Sequence, residues 1–125
     1  MKKKFTAFAV IFLLIGTAQS VKAESTLEFM ESCRELTENV EFLPDGMVSL
    51  PDNNDAGYCW GVFKTWQQLH TNVATSLGDC LAIPDEVTLI QIVLVFEKFV
   101  KDNPAQGHLD FGKGIYNSLK DSWGC

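Results

Sequence analysis

Apolar side chains recur at helical spacing in four stretches of the chain. In "STLEFMESCRELTEN" the residues Leu27, Met30, Cys33, Leu36 and Val40 share one stripe, and Ser25 with Glu28 three positions later reads as a capping box, so a helix is predicted over 26–39. From Asp55 the spacing resumes with Tyr58, Cys59, Val62, Phe63, Trp66, Leu69, Val73 and Leu77, and Gly78 suits the C-terminus of this second, long helix. Trp60 falls off that stripe. The third stretch, "LIQIVLVFEKFVKDN", follows a T-x-x-Q box made by Thr88 and Gln91. Its β-branched run has strand character, but its length, its cap and its charged end favour a helix over 89–102. The nearly continuous apolar character of this helix implies burial on two faces, with a second subunit as one candidate cover. The fourth stretch, "HLDFGKGIYNSLKDSW", aligns Phe111, Ile115, Leu119 and Trp123. Gly112 and Gly114 weaken that helix by about 1 kcal/mol each relative to Ala, so it should depend on packing and on the cysteine that follows it.

Between these stretches lie the turn signals. "EFLPDGMVSLPDNNDAG" holds Pro44, Pro51, a P-D-G turn and a run of Asn and Asp, and reads as a long surface loop; "NPAQG" breaks the chain between the third and fourth helices. The expected fold class is all-α, a small four-helix domain of two helical hairpins.

The first 23 residues do not belong to this pattern. "MKKK" is a basic n-region, the 14 residues "FTAFAVIFLLIGTA" an apolar h-region and "VKA" a small-residue cleavage site, which together read as a secretory signal peptide. The apolar run is short of the roughly 20 residues that a spanning helix needs. The expected organisation is therefore 1–23 signal peptide and 24–125 mature domain, with no membrane attachment after cleavage. Without Lys2, Lys3, Lys4 and Lys22, six basic residues face sixteen acidic ones, a formal charge of −10. Such a surface repels nucleic acid and speeds encounter with a basic partner.

Export changes the meaning of the four cysteines. In an oxidising compartment Cys33, Cys59, Cys80 and Cys125 are expected to form two disulfides. Zinc prefers close pairs such as C-x-x-C, and separations of 26, 21 and 45 positions do not supply them. An even count leaves no obvious thiol for a nucleophile beside His70 or His108. If the third and fourth helices run antiparallel, Cys80 comes near Cys125, which leaves Cys33 for Cys59. No metal, cofactor or catalytic residue is expected, and an enzyme is disfavoured because no acid–base pair or catalytic motif can be placed.

These residues resemble the Rap/Tai family of periplasmic immunity proteins against type VI secretion amidase effectors. The likeness lies in "GYCWG" opening a helix, "CL" followed by "VTLIQ", the apolar "VFEKFVKDNP", and a cysteine one helix later at the end; it covers about residues 57–125. The family's usual forms are Gly-Tyr-Cys-x-Gly, then Cys-Leu-Pro with Val-Thr-x-x-Gln, then a terminal Phe-Pro-Cys. Here the proline after Cys80 and Leu81 is displaced to Pro84, the terminus reads "WGC", and Gly112 and Gly114 stand where better helix formers are usual. These departures bear on effector specificity more than on fold. The resemblance implies an all-helical homodimer that binds a cell-wall amidase in the periplasm and occludes its active cleft.

Two connectors are candidate contact surfaces. One is the loop 43–55 with Asp45, Asp52 and Asp55; the other is the turn 102–110 with Asp102, Gln106, His108 and Asp110, favoured because a short turn between disulfide-tied helices loses less entropy on binding. The competing function is a periplasmic acid-stress holdase chaperone, which would hold unfolded clients on exposed apolar surface.

Overall fold

The computed structural model describes residues 24–125, so the signal-peptide reading of 1–23 lies outside the described residues. Helix α1 (Thr26–Asn39) starts at the expected capping box: the Glu28 N–H donates to Ser25 Oγ at 3.2 Å and the Ser25 N–H donates to the Glu28 carboxylate at 2.9 Å. A two-stranded hairpin follows, β1 (Glu41–Phe42) and β2 (Val48–Ser49), with Phe42 opposite Val48. Helix α2 (Asn54–Ser76) begins at Asn53, whose side chain accepts from the N–H groups of Asp55 and Ala56. It ends at Leu77, with Gly78 at φ +69° and the Asp79 N–H returning to the Ala74 carbonyl at 2.9 Å. That left-handed glycine closes the helix as a Schellman-type turn. Helix α3 (Leu89–Asp102) carries the reciprocal Thr88–Gln91 box, and a 3₁₀ turn (Pro104–His108) leads to α4 (Phe111–Trp123).

One aromatic ring from each helix meets at the centre. Phe29 of α1 stands 5.8 Å from Phe63 of α2, 5.7 Å from Phe96 of α3 and 5.0 Å from Phe111 of α4, ring centre to ring centre. The sequence pattern had set Leu27 on the inner stripe of α1; instead Leu27 is 48% exposed and Phe29 is fully buried. The inner face of α1 is Thr26, Phe29, Met30, Cys33 and Leu36. On α2 the stripe is narrower than its spacing implied. Cys59 and Phe63 are buried, whereas Tyr58, Leu69 and Leu77 are exposed. Trp60, off the stripe, is half-buried against the core.

Helices α1 and α3 each pack on all of the other three, and the most extensive helix pairing is α1 on α2. Leu89, Ile90, Ile92, Val93, Phe96 and Val100 are buried within the one chain, and Leu94 remains 48% exposed. Glu97 is also buried, where its carboxylate accepts from Thr37 Oγ1 at 2.8 Å; burial raises its pKa above the ordinary 4.5.

Two short backbone pairings fasten the helices end to end. The Thr26 N–H donates to the Leu109 carbonyl at 2.8 Å and the Phe111 N–H to the Glu24 carbonyl at 3.1 Å, so α1 and α4 share one starting point. At the other end the Ala82 N–H donates to the Trp123 carbonyl at 3.1 Å and the Cys125 N–H to the Cys80 carbonyl at 3.3 Å. The disulfides follow the expected pairing, Cys33–Cys59 between α1 and α2 and Cys80–Cys125 between the α2–α3 connector and the C-terminus. Two disulfides suit an oxidising, extracellular-type compartment. No helix among the described residues is long and apolar enough to cross a membrane.

Candidate protein-binding surface

The turn 102–110 commits most of its polar groups to the fold. Asp102 pairs with Lys98 one helical turn earlier, and the Gln106 side-chain carbonyl accepts from Asn117 Nδ2 at 2.8 Å. Asp110 caps α4 by accepting from the Lys113 N–H at 3.0 Å, while its backbone carbonyl accepts from Thr26 Oγ1 at 3.1 Å. Losing such a cap costs about 1 kcal/mol, so Asp110 serves stability whatever else it touches. His108 is exposed at the rim of an apolar groove of about 370 Å³ lined by Leu27, Met30, Val100 and Pro104.

The loop 43–55 is different in kind. The stretch 41–57 was expected to be an irregular surface loop, and it forms the β1–β2 hairpin instead, with the turn and β2 falling inside 43–55. Asp45 Oδ1 accepts from the Met47 N–H at 3.0 Å, the Leu43 N–H donates to the Met47 carbonyl at 2.9 Å, and Gly46 takes φ +81°. Asp45 thus builds the turn, and Gly46 supplies a backbone shape that other residues resist. Asn53 Nδ2 donates to Glu35 at 3.2 Å and ties the far end of the loop to α1. Asp52 and Asp55 are exposed, the latter in the first turn of α2.

What the hairpin offers to solvent is apolar. Phe42 is 70% and Met47 62% exposed, with Leu43 and Leu50 above a third; Val48 alone turns inward against the core. Beneath Phe42 a slot of about 220 Å³ opens between the hairpin and the first turn of α3, walled by Val48, Trp60, Leu89 and Ile90. The slot escaped the sequence reading, although "LPDGMV" held the signal: Asp-Gly flanked by apolar residues is a hairpin pattern.

Polar clusters elsewhere hold the connector 79–83 in place. Asp79 Oδ2 accepts from Tyr116 Oη at 2.6 Å and from Lys120 Nζ, and Oδ1 accepts from the Cys80 N–H at 3.0 Å. The Lys120 hydrogen bond, helped by those of Tyr116 and Cys80, lowers the Asp79 carboxyl to about 2, while Tyr116, by donating its own hydrogen bond to Asp79, is raised. A general acid or base works best with a pKa near the working pH, and both partners are driven away from it, so the cluster is suited to clamping. His70 spans a second gap, with Nδ1 donating to the Gln67 carbonyl at 2.8 Å and Nε2 accepting from the Ile83 N–H at 3.2 Å. Tyr58, whose hydroxyl is pushed up to about 12 by partial desolvation and by its hydrogen bond to Glu24, tethers Glu24 to α2 although the residue remains exposed.

The Asp79 clamp has a defined pH window. A carboxyl whose folded pKa is depressed contributes stability above its ordinary value of 3.8 and loses it as pH falls toward about 2. Asp79→Asn should therefore flatten the acid limb of stability between these values, as read by circular dichroism melts over a pH series. An acid limb as steep as the parent's would show that the clamp contributes nothing.

Taken together, helices, staples and hairpin define a class: a small disulfide-linked all-α domain with an apolar hairpin on its surface. Comparison with known proteins adds no family to that class, since no family model, no curated protein and no solved structure matches the chain.

Proposed function

We propose that the protein is an exported immunity protein that binds a type VI secretion peptidoglycan amidase effector in the periplasm and occludes its active cleft. The motif resemblance motivates the choice of partner. The observation that supports a binding role is the hairpin, where Phe42 and Met47 stand 70% and 62% exposed on a turn held by Asp45 and Gly46. Apolar surface costs free energy in water, and a rigid element pays little further entropy when a partner covers it. Covering a cleft requires no chemistry from the inhibitor itself. The formal charge of −10 on residues 24–125 suits rapid capture, since electrostatic steering takes association toward about 10⁸ M⁻¹s⁻¹ at low salt. The homodimer belongs to this proposal, with Leu94 of α3 as exposed apolar surface for it.

The test is protection. Cells that export the cognate type VI secretion peptidoglycan amidase should lyse, and co-export of this chain should prevent lysis; the purified pair should associate with a rate that falls steeply with salt. Lysis despite co-export would refute the reading. The holdase alternative draws on the same exposed apolar surface, Phe42 and Met47, and on an Asp79 clamp that should weaken as the pH falls toward about 2. Suppression of aggregation of unrelated unfolded proteins at pH 2 to 3 would favour it.

A further inference from the structure

The geometry points to the slot between the 41–49 hairpin and the first turn of α3 as a recognition site for one apolar side chain of a partner protein, flanked on that partner by Lys or Arg. Its use against an amidase rests on the inhibitor reading above; the chemistry of the slot does not. The slot has about 220 Å³ of free space, walls of Val48, Leu89 and Ile90, and Trp60 half-buried in its side. Phe42 forms its outer lip and is mostly exposed. Pockets of this kind, aromatic and shielded at the edge, are where single side chains carry most of an interface's affinity.

Charge selects the occupant. Between Arg34 and Lys98 the chain holds one basic residue, Lys64, and ten acidic ones. Glu41 and Asp45 are next in sequence to the slot residues Phe42 and Gly46, and Asp85 and Glu86 closely precede Thr88 on the other wall; all four are exposed, so both walls are continued by acidic surface. A second copy docking here about a two-fold axis would bring the same acidic rims together, which disfavours self-association through this face. A basic-flanked apolar side chain gains on both counts. It fills the slot, and its neighbours pair with the rim.

Site-specific photocrosslinking in the exporting cell tests the site on the intact protein. Benzoylphenylalanine replaces Phe42, His108 or, as a control on the outer face of α4, Lys113. The expected result is one protein adduct from position 42 and none from 113, with Lys or Arg beside the crosslinked apolar residue of the partner. A Phe42→Ala/Met47→Ala variant should then bind that purified partner about 30-fold more weakly, with its thermal midpoint unchanged because both side chains are exposed. Absence of an adduct at 42, an adduct there only with a second copy of this chain, or an acidic partner peptide overturns the slot assignment. An amidase captured from 108 and not from 42 overturns the slot but leaves the inhibitor reading standing. A basic partner captured at 42 that is not an amidase does the reverse.

Discussion

A Cys33→Ala/Cys59→Ala variant is expected to lose about 4–6 kcal/mol, against about 2–4 kcal/mol for Cys80→Ala/Cys125→Ala, although the second pair closes the longer loop. The chain-entropy contributions alone would rank them the other way, at roughly 3.5 and 4 kcal/mol for separations of 26 and 45 residues. Burial reverses the order. Cys33 and Cys59 are fully buried beside the aromatic centre, so their loss removes core atoms as well as the link. Cys80 and Cys125 are exposed, and the backbone pairings to Trp123 and Cys80 with the Asp79 clamp still hold that end. A domain of this size has on the order of 5–15 kcal/mol in total, so the first variant should be largely unfolded at 37 °C and the second folded. Circular dichroism melts decide it. The same contrast predicts that mild reductant opens Cys80–Cys125 first, which timed alkylation and peptide mapping would show; simultaneous opening would mean that α1 and α2 separate easily.

Gly114→Ala should lower the thermal midpoint by roughly 10–20 °C, whereas Gly112→Ala should raise it slightly. By helix propensity the two changes are equal. In the fold they are opposite, because a Cβ at Gly114 would overlap the Thr26 side chain, while one at Gly112 meets only Asp110 Oδ1 at an ordinary 3.4 Å. Thr26 has no room to yield: it is fully buried and its Oγ1 donates to the carbonyls of Leu109 and Asp110. Overpacking costs about 1–3 kcal/mol and a broken buried hydrogen bond about as much again. Equal midpoints for the two variants would show that α1 and α4 do not approach as closely as described. Gly114 was read from the sequence as a weakness of α4, and the fold turns it into the condition for helix contact.

Local chemistry made much of the fold legible. The boxes Ser25–Glu28 and Thr88–Gln91 mark where α1 and α3 begin because a cap is a contact over three residues, and Gly78 marks where α2 ends because a left-handed turn selects glycine. The disulfide pairing also followed, from helix order alone. The inner face of α1 did not. Two stripes, one through Leu27 and one through Phe29, both have helical spacing, and only the meeting of Phe63, Phe96 and Phe111 selects the second.

The contact surfaces divide in the same way. That residues 24–125 are acidic, and that the acid gathers between Arg34 and Lys98, is a property of composition and stands before any folding. Which connector is free for a partner is not. Asp110 and Gln106 looked available until α4 and Asn117 took their oxygens, and "LPDGMV" looked like a loop until Val48 found Trp60 and α3 and left Phe42 and Met47 outside. Spacing along a chain determines which residues share a face and how an element starts and stops, because those contacts lie within one helical turn. Which face is covered, and which apolar side chains remain uncovered, depends on residues far apart in sequence, and only tertiary packing brings them together.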